Sequence, residues 1–413
     1  MRAYLLVGMA CWASLSIPHA AAAPLSEALD GALRAPALRG ARVGALVVRR
    51  DDGAVLYAQA PDRELVPASN AKVLTALAAL DAFGPSHRFT TTIYADAALD
   101  AEGSVGSLYV RGGGDPVLNS EDWWRLAADL RRIGLRRVKG DLVLDDSAFD
   151  RKRWHPDWRP LSARAYHAPI GALSANYGAF AVEVRPGARA GEPAHVTLDP
   201  PVAYLRLANR ASTSAPGSSR SLAVDRQSAD DHERVGVSGR IPVGSEPKVF
   251  WRSVADPRRY AGSVLRLQLE ANGIAVSGSE RAGAVPATAR ELLAFSGRPL
   301  AEIIRLFLKY SSNPIGESLV KSLGAAETGS PGSWATGLTA LRHRLQGFGF
   351  DPASVGLEDG SGLSYENRLS PRTLVRALRA GAGSFDFGPE YVAAFPISAL
   401  DGTLEKRVNG ARG

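Results

Sequence analysis

Apolar residues change their spacing twice along this chain of 413 residues. Near the start, Val73, Leu74, Leu77 and Leu80 recur at the helical period and Gly84-Pro85 supplies a stop. That pattern predicts a buried helix whose first turn holds Ser69. Before it, residues 25–34 read as a short helix capped by Ser26. Residues 42–49 and 54–59 flank Asp51-Asp52-Gly53, a hairpin signal because Asp-Gly tolerates the positive φ such turns require. From about residue 88 the texture becomes one of short alternating strands, at 89–94, 107–110, 138–144, 180–184, 195–198, 203–207 and 234–237. One helix interrupts them, capped by Ser120, carrying Leu126, Leu130 and Ile133, and ended by Gly134. Residues 209–231, rich in Ser, Arg, Ala and Gly without a hydrophobic period, read as a long exposed loop. The helical period returns after Asp256-Pro257, with Val264, Leu265, Leu267 and Leu269 before Gly273, and continues through 300–310, 314–323, 334–345 and 370–380. The chain is therefore helical towards both ends around a β-rich middle, with no internal repeat of fixed period.

Length allows two or three domains, and 45% hydrophobic with 22% charged residues is ordinary globular material. Met1-Arg2, an apolar stretch to Ile17 and the small residues Ala20 to Ala23 read as an export signal cleaved near Ala22-Ala23, too short for a membrane anchor. The single cysteine, Cys11, lies inside that signal, so the mature chain has neither disulfides nor a thiol nucleophile. The net charge of +7 comes from arginines spread along the sequence rather than from one basic run. No nucleic-acid partner is expected, and an anionic cell-wall polymer is a plausible neighbour.

Candidate chemistry centres on Pro67-Ala68-Ser69-Asn70-Ala71-Lys72. Residues i and i+3 share one helix face, which puts the Lys72 amine within reach of the Ser69 hydroxyl. A lysine desolvated by an apolar helix loses its proton more easily and can serve as the base that a serine nucleophile needs. The plainer reading of Ser69 is a helix cap. A second cluster, Lys309-Tyr310-Ser311-Ser312-Asn313, places Ser311 and Asn313 on a short connection between two helices. There a hydroxyl can relay a proton and an amide can hold a carbonyl or the lysine. Ser361, between two glycines, is a weaker nucleophile candidate that turn geometry explains. The seven histidines include no His-Glu-x-x-His pair, so zinc is not expected. Trp123-Trp124, Trp154 and Trp158 can face a glycan, with burial as the default.

Ser-x-x-Lys followed by Ser-x-Asn resembles the signature of serine penicillin-binding proteins and β-lactamases. Ser311 follows Ser69 by 242 positions, a spacing similar to the class C low-molecular-mass penicillin-binding proteins, the D-alanyl-D-alanine carboxypeptidase/endopeptidase family. Gly113-Gly114-Asp115-Pro116, the stretch from Gly140 to Phe149, Asp359-Gly360-Ser361-Gly362-Leu363-Ser364 and the stretch from Pro396 to Leu404 are also similar to it. The resemblance implies an α/β transpeptidase-like domain, an antiparallel sheet flanked by helices, with a large β-rich insertion. The expected division is a signal at 1–23, a discontinuous catalytic domain at 24–87 and 290–413, and an insertion of one or two domains at 88–289. It implies a periplasmic enzyme in which Ser69 attacks the penultimate D-alanine carbonyl of a peptidoglycan stem peptide. Lys72 would take the proton, Ser311 would pass it on, and Asn313 would position the substrate. No metal or organic cofactor is implied, and β-lactams would be covalent inhibitors. The resemblance further implies a Lys-Thr-Gly strand after Asp401-Gly402-Thr403-Leu404, and none occurs before Gly413. The expectation is thus a catalytic domain lacking its C-terminal strands, the alternative being a cell-wall-binding relative with impaired turnover. A β-lactamase is disfavoured by the insertion and by the absence of a recognisable deacylating glutamate.

Overall fold

The computed structural model describes residues 25–407. The expected signal at 1–23 and the chain end from 408 lie outside the described residues. Two compact units divide the chain, at Pro61. In the first, α1 (Leu25–Leu33) precedes a hairpin of Ala45–Val48 and Val55–Gln59, with Gly53 at φ 78° in the turn. Tyr57 donates its hydroxyl to Asp30 Oδ1 at 2.7 Å, tying the hairpin to α1.

The second unit contains α2 (Lys72–Phe83), α3 (Ser120–Arg132), α4 (Pro257–Ala271), α5 (Leu300–Tyr310), α6 (Asn313–Thr328), α7 (Trp334–Gln346), α8 (Pro371–Ala382) and α9 (Gly388–Ala393). Its apolar residues form two clusters. In the first, α2 is buried on every side from Lys72 to Leu80, and α5 to α9 pack around it. A helix apolar all round belongs in a core. The alanines at 76, 78 and 79 leave room for that many neighbours, so the face formed by Leu74, Leu77 and Leu80 is only part of what α2 buries. Tyr391 of α9 donates its hydroxyl to Val73 O at 3.2 Å, pinning the last helix to α2.

The second cluster lies on a five-stranded sheet in the order Glu280–Ala282, Leu142–Asp145, Leu108–Arg111, Arg88–Ala95, Arg290–Pro299. The first three strands run parallel, and the last two pairings are antiparallel. Strand Arg290–Pro299, at the border of the sequence-based division, pairs with Arg88–Ala95 and so shares its sheet. Helices α3 and α4 pack together beside this sheet through Trp123, Leu126 and Leu130, and through Tyr260, Val264 and Leu265. The α3 cap is Asn119 rather than Ser120: its side chain accepts from Asp122 N while Asp122 accepts from the Asn119 N–H. Reciprocal capping satisfies two donors that helix geometry leaves orphaned, which a lone serine does not.

Residues 209–231 are not one long loop: 209–214 and 223–228 belong to strands, and only the stretches between and after them are loop. Leu205–Ser214 pairs in parallel with Glu233–Pro242, whose other edge carries Ala223–Ser228. Only one face is buried, by Leu205, Ala211, Thr213 and Val224, and the serines and arginines between them are the solvated face of ordinary strands. Residues 138–144 likewise form no single strand. Arg137–Val138 and Leu142–Asp145 join different sheets, and a Cβ at the intervening Gly140 would come within 2.9 Å of Gly106 O.

Phe307 of α5 is fully buried against the helical cluster. Phe307→Ala is expected to lower stability by about 3–5 kcal/mol through lost burial and the cavity left behind, read from the midpoint shift of urea unfolding.

Candidate active site

The entry to α2 is a tight bend. Ala68 has φ 47°, unusual for a residue with a Cβ, and residues Ala68–Ala71 form a 3-10 turn that runs into the α-helix at Lys72. Ser69 therefore sits in the lead-in turn and not in the α-helix proper. Side chains three apart nearly eclipse in a 3-10 turn. Lys72 Nζ lies 3.1 Å from Ser69 Oγ, with Ser69 exposed and Lys72 only 2% exposed.

Two further groups hold the amine. Nζ donates to Asn313 Oδ1 at 2.9 Å and to the carbonyl of Ser361 at 2.6 Å. The Asn313 amide is oriented by its own Nδ2, which donates to Tyr166 O at 3.1 Å. Carbonyl oxygens can only accept, so a neutral amine must spend both its hydrogens on Asn313 and Ser361. Its lone pair is then left facing Ser69 Oγ. Burial pushes the Lys72 pKa down to about 8, against the opposing pull of the Glu317 and Asp359 carboxylates. The free amine is thus accessible near neutral pH.

Ser311 ends α5 in the left-handed region at φ 55°, and Asn313 opens α6. Such a conformation costs on the order of 1–2 kcal/mol for a non-glycine residue, and here Ala68 and Ser311 both adopt it beside the same cavity. The cavity, of about 430 Å³, is lined by Ser69, Lys72, Ser311, Leu308, Phe395 and Thr403 among others. Ser311 shares that space without hydrogen-bonding to Ser69 or Lys72. One wall is fixed by Lys309, whose Nζ donates to Phe395 O at 2.9 Å and to Asp401 Oδ2 at 2.6 Å. That bond holds the Asp401 carboxyl below its ordinary range.

The segment from Asp359 to Asn367, whose first six residues carry part of the family resemblance, completes the site through its backbone, a use the sequence does not show. Asp359 accepts from Trp158 Nε1, Gly362 N, Ser364 N and Asn367 Nδ2, folding the segment into a rigid loop. Gly360 O accepts from Thr75 Oγ1 at 2.8 Å. Ser361 thus takes part through its carbonyl, while its hydroxyl is buried away from Ser69's cavity lining. Gly362 has φ 81°, and a Cβ there would lie 1.8 Å from Ala68 O, so glycine is what lets the loop seat against the Ser69 turn. The signal that points here is Asp-Gly-Ser-Gly, whose two glycines mark close backbone approach. Trp123 and Trp158 are buried, and Trp124 is half exposed. Among the described residues no group of three His, Cys, Asp or Glu side chains is placed to hold a metal ion.

A buried lysine lies beside an exposed serine and is held by an asparagine from a second helix pair, which is the geometry a serine acyl-transfer centre of the Ser-x-x-Lys kind requires. The chain belongs to the D-Ala-D-Ala carboxypeptidase 3 (S13) family, whose sequence profile matches residues 25–413. It is 38% identical over 401 residues to a D-alanyl-D-alanine carboxypeptidase of Actinomadura sp. (strain R39), covering 94% of this chain and 74% of that one. With the D-alanyl-D-alanine carboxypeptidase DacB of Haemophilus influenzae it shares 28% identity over 350 residues, covering 83% of this chain and 71% of that protein. The crystal structure of penicillin binding protein 4 from the same organism superposes with a TM-score of 0.75 at 25% identity, over 88% of this chain and 80% of that one. The fold is therefore the mixed α/β fold of the penicillin-binding proteins. A second structure of that protein, complexed with a β-lactam, has the same fold with a TM-score of 0.70 at 24% identity, over 89% and 80% of the two chains.

Gly362→Ala is expected to push the loop off the Ser69 turn. The expected signature is a loss of about 1–3 kcal/mol in urea unfolding, together with slower acylation by a penicillin because Ser361 O no longer fixes Lys72.

Proposed function

We propose that the protein is an exported, penicillin-binding serine D-alanyl-D-alanine carboxypeptidase that acts on peptidoglycan stem peptides in the periplasm. The observation that carries this reading is the 3.1 Å contact between Ser69 Oγ and a buried Lys72 whose lone pair has nowhere else to point. The family membership and the identity to named carboxypeptidases support it. The leader-like pattern of residues 1–23 supports export, and no helix among the described residues is long and apolar enough to cross a membrane. In this reading the helical cluster around α2 is the catalytic part and residues 88–289 are the β-rich insertion, with Arg290–Pro299 added to it because that strand pairs with Arg88–Ala95.

Ser69 Oγ bonds to the carbonyl carbon of the penultimate D-alanine as its proton passes to Lys72 Nζ. The tetrahedral oxyanion is stabilised by backbone N–H groups, with that of Ser69 as one donor. Collapse breaks the peptide bond, and the proton leaves Lys72 through Ser311 for the departing amine of D-alanine. Water then enters and bonds to the acyl carbon as its proton passes to Lys72; collapse breaks the bond to Ser69 Oγ, which takes the proton back from Lys72, and the shortened peptide leaves with a free carboxyl group. Asn313 holds Lys72 in place and presents its amide at the substrate edge. A β-lactam follows the first half of this course, its ring amide standing in for the scissile peptide bond.

Labelling with a fluorescent penicillin tests the reading. Ser69→Ala should lose the covalent signal altogether, and Lys72→Met should slow acylation by about 10²–10⁴-fold, the usual contribution of a general base. The amine is the active form and exists above its pKa. Acylation should therefore be slow near pH 6 and rise with a midpoint near Lys72's value of about 8. A signal retained by Ser69→Ala would refute the assignment.

A further inference from the structure

Glu317 lies on α6, one turn beyond Asn313, and is fully buried. Its Oε2 accepts from Trp334 Nε1 at 2.7 Å and from Gly360 N at 3.1 Å. The same Gly360 gives its carbonyl to Thr75 of α2, and the next carbonyl, that of Ser361, receives Lys72 Nζ. A Cβ on Gly360 would lie 2.6 Å from Gly316 O, so the loop rests directly on α6. The other carboxylate oxygen, Oε1, is buried with no hydrogen bond of ordinary geometry, as is Ser361 Oγ, although Ser361 lies close enough to favour the charged form of Glu317. A fully buried acid that supports the loop holding the base does more than fill space.

We propose that Glu317 is a positioning residue for Lys72: it clamps the Gly360–Ser361 backbone between α6 and α2 and sets a carboxylate behind the amine, so that its charge fixes the pH at which Lys72 becomes a base. This rests on the reading of Ser69 and Lys72 as nucleophile and base. The charged groups around the pair are few. Lys72 faces Glu317 and Asp359. Glu317 faces Asp359, whose oxygens are taken up by the loop, and Lys321 on its own helix. Lys321 is held by Asp150 at 2.6 Å and lies 3.9 Å from the Trp334 ring centre. His155 packs edge-on against Trp334 and faces Asp359. Burial pushes Glu317 up to about 7 and Lys72 down to about 8, so a change of charge on the acid falls where the amine titrates. An ionised Glu317 favours the ammonium, and neutralising it favours the free amine.

The decisive variant is Glu317→Gln. Its amide oxygen can still accept from Trp334 and Gly360, and its NH2 faces Ser361 Oγ, so the shape is kept and the charge removed. The ε-carbon of Lys72, followed by NMR in protein labelled with [ε-13C]lysine and assigned by comparison with Lys72→Arg, reports the titration directly. The expected result is a Lys72 midpoint lower by about one pH unit, with the acid limb of penicillin acylation displaced downward to match. A folded Glu317→Gln protein with an unmoved midpoint would overturn the proposal, since a merely structural acid would leave the titration alone. Trp334→Phe provides a second route: it keeps the acid and removes a donor that favours its charged form, and should move the midpoint in the same direction. An unmoved midpoint there likewise counts against the coupling. A wild type that takes up no penicillin at Ser69 contradicts the functional reading instead, and the carbon titration, which needs no turnover, then still supports or overturns the role of Glu317.

Discussion

Everything at this site depends on one amine being kept dry between two carbonyl oxygens. An ammonium ion buried at the start of a largely apolar helix is costly, and the protein lowers that cost by letting the proton leave at a lowered pH, near 8. Asn313 Oδ1 and Ser361 O decide what the neutral amine does next: they consume its hydrogens and turn its lone pair on Ser69. Neither partner is near in sequence. One is 241 positions away and the other 289, so the geometry exists only once α2, α6 and the Asp359 loop have packed.

That packing explains features which look wasteful on their own. Ala68 and Ser311 adopt backbone conformations that disfavour side chains, and both flank the same cavity. The strain is tolerated because the surrounding core over-determines it. Helix α2 is enclosed on all sides, and Gly362 fits against Ala68 with no room for a methyl group. Glu317 belongs to the same logic: it joins the helix that carries Asn313 to the loop that carries Ser361, so the two carbonyls that restrain Lys72 share one support.

Much of this was legible in the sequence where the signal was local. The helical period around Val73 to Leu80, the Asp-Gly hairpin, and the spacing of Ser69 to Lys72 and of Ser311 to Asn313 each follow from residues close together. What escaped depended on distant partners. Residues 209–231 looked unstructured because a strand with one solvated face carries few apolar residues, and its pairing with Glu233–Pro242 is visible only in the sheet. Ser361 was weighed as a hydroxyl, whereas its backbone carbonyl is what matters, and no residue type encodes that use. Glu317 did carry a faint local signal: it follows Asn313 by four positions, which places an acid on the face of α6 that points to the site.

The most direct test is peptide mapping by mass spectrometry after exposure to benzylpenicillin. Trypsin releases residues 64–72, a peptide whose only serine is Ser69, and separates it from 310–321 with Ser311 and from 345–368 with Ser361. The account predicts one penicilloyl adduct, on 64–72. An adduct on either of the other peptides, or none on any, would contradict it.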